Sequence, residues 1–148
     1  MDGAIVPAMA GVLGSLVGSS AAVATAWITQ KAANKRELTQ LEMRKREMLY
    51  GEFITECAKL LMDAFTHTLD SPEKLLPLYA TLNRIRLSAS QPVLAEAEHL
   101  LTRITDQYFS KNLTLDEIRG LAHSEGADPL KQFGEACRVE LKSVRAAA

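Results

Sequence analysis

The feature that most constrains this chain is a long stretch without a charged residue near its N-terminus. No Asp, Glu, Lys or Arg occurs between residues 3 and 30, and residues 4–28 form a mostly apolar run of 25 residues. A helix of that length spans roughly 37 Å, enough to cross the ~30 Å hydrocarbon core of a bilayer. Only a helix crosses lipid as a single segment, because lipid offers no partner for open backbone groups. Residues 4–28 are therefore predicted to form a transmembrane helix.

The charges that follow this run predict its orientation. Residues 31–46 carry six cations and two acids, whereas residues 47–148 carry eleven cations and fifteen acids. Because basic flanks stay on the cytoplasmic side, we expect the N-terminus outside and the C-terminal domain in the cytoplasm. An indole ring and nearby cations favour the headgroup layer of the lipid bilayer. The residues predicted to contact headgroups are Trp27, Lys31, Lys35, Arg36, Arg44, Lys45 and Arg46.

A cleaved secretory signal is one alternative to a retained span. Ala22-Val23-Ala24 and Ala24-Thr25-Ala26 both resemble cleavage sites. A signal peptide starts with a basic region, however, whereas this chain starts with Met1-Asp2-Gly3. A buried core helix is the other alternative, but 25 uncharged residues near a chain terminus are too long for one. The retained membrane anchor is therefore the interpretation that we follow.

Small side chains dominate the apolar run. Thirteen of its 25 residues are Ala, Gly or Ser, and one set of them recurs at intervals of four. Such a ridge lets helix backbones approach closely, so it predicts self-association into a homo-oligomer. A ring of these helices lining a pore is the alternative, although the run contains no ionisable group for a conducting path. The predicted association face consists of Ala10, Gly14, Gly18, Ala22 and Ala26.

The rest of the chain is predicted to be all-α. Residues 29–48 favour a basic, solvated helical stalk, and residues 49–148 favour a cytoplasmic bundle of four to five helices. From residue 49 the apolar residues follow the 3.6-residue period, which predicts a core-packed helix that ends near Asp70. Its predicted inward positions are Leu49, Phe53, Ile54, Cys57, Leu60, Leu61, Ala64 and Phe65.

Start signals divide the remaining residues into further helices. They are Ser71-Pro72-Glu73, Ser90-Gln91-Pro92, the capping box of Thr114 and Glu117, and Asp128-Pro129. Pro77 is expected to delay or kink the first of these helices, and Gly120 or Gly126 to close the third. The predicted inward positions are Leu75, Tyr79, Leu82 and Ile85, then Val93, Leu94, Leu100, Leu101, Ile104 and Tyr108, then Leu130, Phe133, Cys137, Leu141 and Val144.

Three segments of the chain resemble those of a known group of proteins. They are residues 46–54 (REMLYGEFI), 82–87 (LNRIRL) and 133–138 (FGEACR). In these segments the chain is similar to short, uncharacterised bacterial proteins that pair an N-terminal apolar segment with a helical domain. The resemblance implies a bacterial membrane protein, and with the orientation predicted above we expect it in the inner membrane. It implies no activity, cofactor or site residue.

Signals for catalysis or metal binding are sparse. The chain has no nucleotide-binding, zinc-protease or nucleophile-elbow motif, so we predict no catalytic residue, metal or cofactor. Cys57 and Cys137 fall on predicted apolar faces, where cysteine acts as a small hydrophobe. A metal-binding bundle stays a further alternative, because Asp63 with His67 and Glu96 with His99 share helix faces.

The predicted partners follow from the same features. The basic stretch lacks interleaved aromatic residues, so we do not expect nucleic-acid binding. Arg84 is expected to bridge to an acid on a neighbouring helix, with an acidic protein partner as the functional alternative. We therefore predict a single-pass membrane scaffold that contacts the bilayer and copies of itself, with a protein partner on its bundle.

Overall fold

The computed structural model describes residues 5–123 and 128–147, with side chains from residue 24 onward except that of Ala122. Every regular element within these residues is helical, so the predicted all-α class is confirmed. The α-helices are α1 (Ile5–Thr66), α2 (Leu76–Ser88), α3 (Gln91–Tyr108), α4 (Leu115–Ala122) and α5 (Lys131–Ala146), and a 3-10 turn covers Pro72–Leu75.

The chain divides into two compact units, Met1–Gln40 and Leu41–Ala147. In the first unit the side chains from residue 24 to Leu38 are exposed on α1. Across the residues described with their side chains, no helical stretch combines the length and apolarity needed to cross a membrane. Most of the predicted transmembrane helix, residues 4–28, lies outside that part of the chain.

The second unit contains the hydrophobic core, to which α1 contributes one face. The predicted inward residues from Leu49 to Ala64 are buried, apart from Ile54, which like Phe65 is partly buried. Phe133 of α5 packs on this face, with its ring centroid 4.9 Å from that of Phe53 and 6.0 Å from that of Tyr50. Aromatic pairs in such tilted and edge-on arrangements add packing energy beyond the area that they bury.

The end of α1 differs from the prediction, because the helix stops at Thr66 rather than near Asp70. The last carbonyl groups of a helix need partners outside it, and here the segment before α4 supplies them. The Leu113 N–H donates to the Phe65 carbonyl over 2.7 Å, and the Asn112 amide donates to the Thr66 carbonyl over 3.1 Å. These two bonds give partners to the last carbonyl groups of α1, so the helix can end at Thr66.

The start of α2 follows the predicted signals. Ser71 accepts a hydrogen bond from the Glu73 N–H, and Pro72 occupies the first position of the 3-10 turn. Pro77 then lies in the first turn of α2, where its missing N–H costs no hydrogen bond. The delayed start is thus confirmed. The predicted inward position of Tyr79 is wrong, because its side chain is 48% exposed while Leu78 is fully buried.

The later helices follow the sequence closely, with two differences. On α3 the buried face includes Ala97, which was not predicted, whereas the predicted residues Leu94 and Leu101 are only partly buried. The capping box of Thr114 and Glu117 begins α4 as predicted, but the helix continues through Gly120 to Ala122. The His123 N–H caps the Gly120 carbonyl instead, and Gly126 lies outside the described residues. Asp128 accepts a hydrogen bond from the Leu130 N–H over 2.9 Å just before α5.

Candidate functional site

Of the predicted association face, the structure describes only one side chain. Ala26 is exposed on α1, and the other four members lie among residues whose side chains are not described: Ala10, Gly14, Gly18 and Ala22. Just beyond this face Trp27 is 65% exposed, and the Lys31 ammonium lies 5.1 Å from the centre of its ring. A cation over an indole face is attracted to the ring's negative surface, so the two predicted headgroup residues form one polar-aromatic cluster.

The other predicted headgroup residues differ in how exposed their side chains are. Lys35, Arg36, Arg44 and Lys45 are exposed. Arg46 instead is only 20% exposed, and its guanidinium forms ion pairs with Glu42 and Glu140. The Glu42 pair spans 3.1 Å at the i,i+4 spacing. The structure therefore places Arg46 inside the bundle's own network of charges.

Glu140 of α5 is the centre of that network and was not singled out from the sequence. Its side chain is 5% exposed, and its carboxylate accepts hydrogen bonds from three residues of other elements. The Tyr50 hydroxyl donates over 2.9 Å, the Ser90 hydroxyl over 2.6 Å and the Ser90 N–H over 3.0 Å. Arg46 adds a direct ion pair. One carboxylate thus connects α1, the N-terminus of α3 and α5.

The pKa shifts in this cluster follow from its hydrogen bonds. Burial disfavours the charged form of Glu140, but the bonds from Ser90, Tyr50 and Arg46 outweigh it and lower the pKa of the carboxyl group. Burial and the bond to Glu140 together raise the pKa of Tyr50. The Glu140 carboxylate is therefore negatively charged in the folded protein, and neutral and cationic donors bind it. We call this cluster of Glu140, Arg46, Tyr50 and Ser90 the clamp, because it holds three elements together.

The two cysteines carry no sign of nucleophilic chemistry. Both side chains are buried, and they are free thiols. Burial raises the pKa of Cys57 and of Cys137 to about 12 in each case, with the charge of Glu140 adding to the effect on Cys137. A thiol attacks as its thiolate, so these two groups are poorly suited to react near neutral pH.

The predicted carboxylate–histidine pairs form but remain separate. His67 lies 3.1 Å from Asp63, and His99 lies 3.8 Å from Glu96. Within the described ranges, no group of three or more His, Cys, Asp or Glu side chains comes together as metal ligands do. Asp63 instead accepts a hydrogen bond of 2.7 Å from Tyr108, which together with Lys74 lowers the pKa of its carboxyl group.

Two further ion pairs connect neighbouring helices. Arg84 of α2 lies 2.6 Å from Glu52 of α1, which confirms the predicted bridge to a neighbouring helix. Arg86 of α2 lies 2.6 Å from Glu98 of α3. Because these pairs are about half exposed, each contributes less than ~1 kcal/mol.

A groove of about 430 Å³ opens between α1 and α5. Its lining includes the apolar side chains of Ile54 and Leu141 and two glycines, Gly51 and Gly134. Four exposed charged residues also line it, and three of them are cations: Glu47, Arg138, Lys142 and Arg145. An apolar surface bordered by cations can receive a ligand that has both an apolar and an acidic part.

No protein-family model, curated protein or solved structure matches the chain. The described side chains supply structural ion pairs, two buried thiols with raised pKa values and an open groove between α1 and α5.

Proposed function

We propose that this protein is a membrane-anchored helical scaffold that acts by association. Residues 4–28 would hold it in the bacterial inner membrane with the N-terminus outside, and the small-residue ridge would assemble copies. The bundle of residues 41–147 would present its surface to a protein partner in the cytoplasm. This assignment makes the protein an interaction module rather than an enzyme.

The observation that carries the proposal is the extent of α1. One unbroken helix, Ile5–Thr66, includes the apolar run, the basic stretch and the first core helix of the bundle. A transmembrane segment must be helical throughout, because lipid leaves no backbone group unsatisfied at low cost. The helical backbone of α1 from Ile5 onward supports the proposal on this point.

The side chains at the end of the apolar run support the same assignment. Trp27 and Ile28 are 65% and 63% exposed, and Lys31 lies beside the indole ring. An amphipathic ring next to a cation is typical of the layer between lipid tails and water. The exposed cations Lys35 and Arg36 follow on the same helix, where anionic headgroups would attract them.

The chemistry of the bundle also favours association over catalysis. Its most buried carboxylate, that of Glu140, is used in a four-residue structural cluster. Its two thiols have raised pKa values, and its two carboxylate–histidine pairs remain apart. What these side chains do in the described part of the chain is to hold helices together.

A pair of substitutions in the ridge tests self-association. Gly14→Ile with Gly18→Ile should reduce the full chain in mild detergent to monomers, because bulky side chains keep the backbones apart. Sedimentation equilibrium with the detergent density-matched measures the protein mass directly.

The matched control is Ser20→Ile with Ala24→Ile, which adds the same kind of side chain two residues away from ridge positions. Residues two apart on a helix face different directions, so this control should keep the native mass. A native chain that is already monomeric, or an equal loss of mass in both double variants, would rule out association through the ridge.

A further inference from the structure

Two of the glycines inside helices lie on neighbouring elements of the bundle without a packing reason in the chain itself. Gly51 lies within α1 and Gly134 within α5, where glycine is the least favourable residue after proline. A Cβ atom added at either position would meet no other atom within 4 Å. Internal packing therefore does not require glycine at these positions, and alanine would suit both helices better.

Both glycines line the same surface feature. They face the groove between α1 and α5 that Ile54 and Leu141 also line. A glycine leaves the helix backbone bare, which allows another backbone to come close. A third helix packed along the groove would come close to the backbones of α1 and α5 at these two glycines.

The charges around the groove indicate what that helix carries. Arg138, Lys142 and Arg145 lie on α5 and face a single acid, Glu47, on α1. Arg138 forms an ion pair with Glu135, whereas Lys142 and Arg145 have no ion pair with any described residue. A partner with acidic side chains beside its apolar face would complement these cations and would be steered to them.

The same charges disfavour a second copy of the chain as the occupant. A symmetric pairing brings the same patch of each copy together, so the cations of the two grooves would face one another. Like charges placed in contact across an interface oppose association. The bare glycine positions favour a helix over a lipid chain, because only a backbone gains from close approach to them.

We infer that the groove between α1 and α5 is a docking site for an amphipathic helix with acidic side chains, supplied by a partner protein. This inference rests on the proposed role as an interaction module and names the class of partner. It does not depend on self-association through the ridge, so the Gly14→Ile, Gly18→Ile variant should bind the partner helix like the native chain.

The probe is a blocked 18-residue peptide that is helical, with Leu and Ala on one face and Glu on the flanks. Its counterpart carries Lys in place of every Glu. Anisotropy of the labelled peptides, titrated with the full chain in mild detergent, should show binding of the Glu peptide that is at least about tenfold tighter. Equal affinity for both peptides would overturn the inference.

The decisive variant is Gly51→Ala with Gly134→Ala. Because each added methyl group faces open space and improves helix propensity, this variant should unfold at a higher temperature than the native chain. The same methyl groups would crowd the docked helix and weaken binding of the Glu peptide by on the order of tenfold. Gly120→Ala, also in open space but on α4, is the matched control and should leave binding unchanged.

A charge reversal provides the second variant. Lys142→Glu with Arg145→Glu should weaken binding of the Glu peptide by on the order of tenfold or more. Arg103→Glu with Lys131→Glu changes two exposed cations that do not line the groove, and this control should bind normally.

Besides equal affinity for the two peptides, three further results would overturn the inference. One is a glycine variant that is less stable than the native chain, because the glycines would then serve the fold. The second is a change of oligomer mass in the glycine variant without a change in peptide binding, which would assign the groove to a second copy. The third is binding of a water-soluble, short-chain phosphatidylglycerol, but not of the Glu peptide, to the full chain in mild detergent, with that binding lost in Lys142→Glu with Arg145→Glu.

Discussion

Glu140 connects three parts of the bundle, and its placement is the main finding at the scale of single residues. A buried carboxylate is tolerated only when donors replace the water that it loses. Here Tyr50, Ser90 and Arg46 supply those donors. The Ser90 hydroxyl forms no capping bond to the backbone of α3 but donates to Glu140 instead. The Glu140 carboxylate therefore accepts hydrogen bonds at the N-terminus of α3, where the helix dipole also favours a negative charge.

Neutralising this carboxylate should destabilise the fold. Glu140→Gln leaves the largely buried Arg46 with Glu42 as its remaining counter-charge and weakens the bonds from Tyr50 and Ser90, so we expect a loss of about 2–3 kcal/mol in the free energy of unfolding. Glu135→Gln, on the exposed side of α5, is the control and should cost less than about 0.5 kcal/mol. Urea unfolding of the full chain in mild detergent measures both changes. Equal losses in the two variants would contradict the clamp.

The pH dependence of this effect has a definite sign. The pKa of Glu140 is lowered from its ordinary value of 4.5 in the folded state, so its charge stabilises the fold above that pH. This contribution is lost as the pH falls through the lowered folded-state pKa. The difference in unfolding free energy between the native chain and Glu140→Gln should therefore stay constant above about pH 5 and shrink below about pH 4. A difference that persists or grows in acid would contradict this assignment.

Contacts of this kind between single residues could not be predicted from the sequence. The pattern placed Cys137, Leu141 and Val144 of α5 inward but gave no reason to place an acid between them. The partners of Glu140 lie fifty to ninety-four residues away, so only the folded chain brings them together. The same holds for Arg46, which the sequence assigned to lipid headgroups and the structure pairs with Glu140.

At the scale of elements, helix starts were predicted better than helix ends. A start depends on local chemistry, such as the Ser71 cap, the prolines and the Thr114 capping box, and these signals are visible in the sequence. The end of α1 depends on hydrogen bonds from Asn112 and Leu113, which arrive from elsewhere in the chain. On α2 the core is met by Leu78 and not by the predicted Tyr79.

The capping box offers a test at this scale. Thr114→Ala removes the side chain that bonds the Glu117 N–H and the Glu117 carboxylate, and it should destabilise α4 by about 1 kcal/mol. Amide hydrogen exchange should be faster by roughly fivefold within Leu115–Ala122 and unchanged within α3. Thr102→Ala, at an exposed mid-helix threonine of α3, is the control and should not accelerate exchange in α4. Unchanged exchange in α4 after Thr114→Ala would show that tertiary contacts, not the cap, hold this helix.

At the scale of the whole molecule, the amino-acid pattern predicts which segments form the span, the stalk and the bundle. The structure shows which helix faces of the bundle meet. Periodicity was enough to predict an all-α bundle and most of its buried residues. The groove between α1 and α5 was missed, because Gly51 and Gly134 look like ordinary helix interruptions until the two helices lie side by side. Sequence spacing predicts which residues share a face of one helix, but not which faces meet.

The central claim at this scale is that residues 4–28 hold the protein in a membrane. We expect Leu13→Arg with Leu16→Arg to prevent this, because charged side chains in the middle of a span are costly in lipid. The control, Leu38→Arg with Leu41→Arg, changes two exposed leucines outside the predicted span. It should leave membrane attachment intact.

The most direct measurement is extraction of cell membranes with alkaline carbonate, followed by sedimentation and detection of the full chain. We expect the native chain and the Leu38, Leu41 control to stay in the pellet until detergent is added, whereas the Leu13, Leu16 variant should move to the supernatant. Release of the native chain by carbonate alone would show that residues 4–28 do not hold the protein in the membrane.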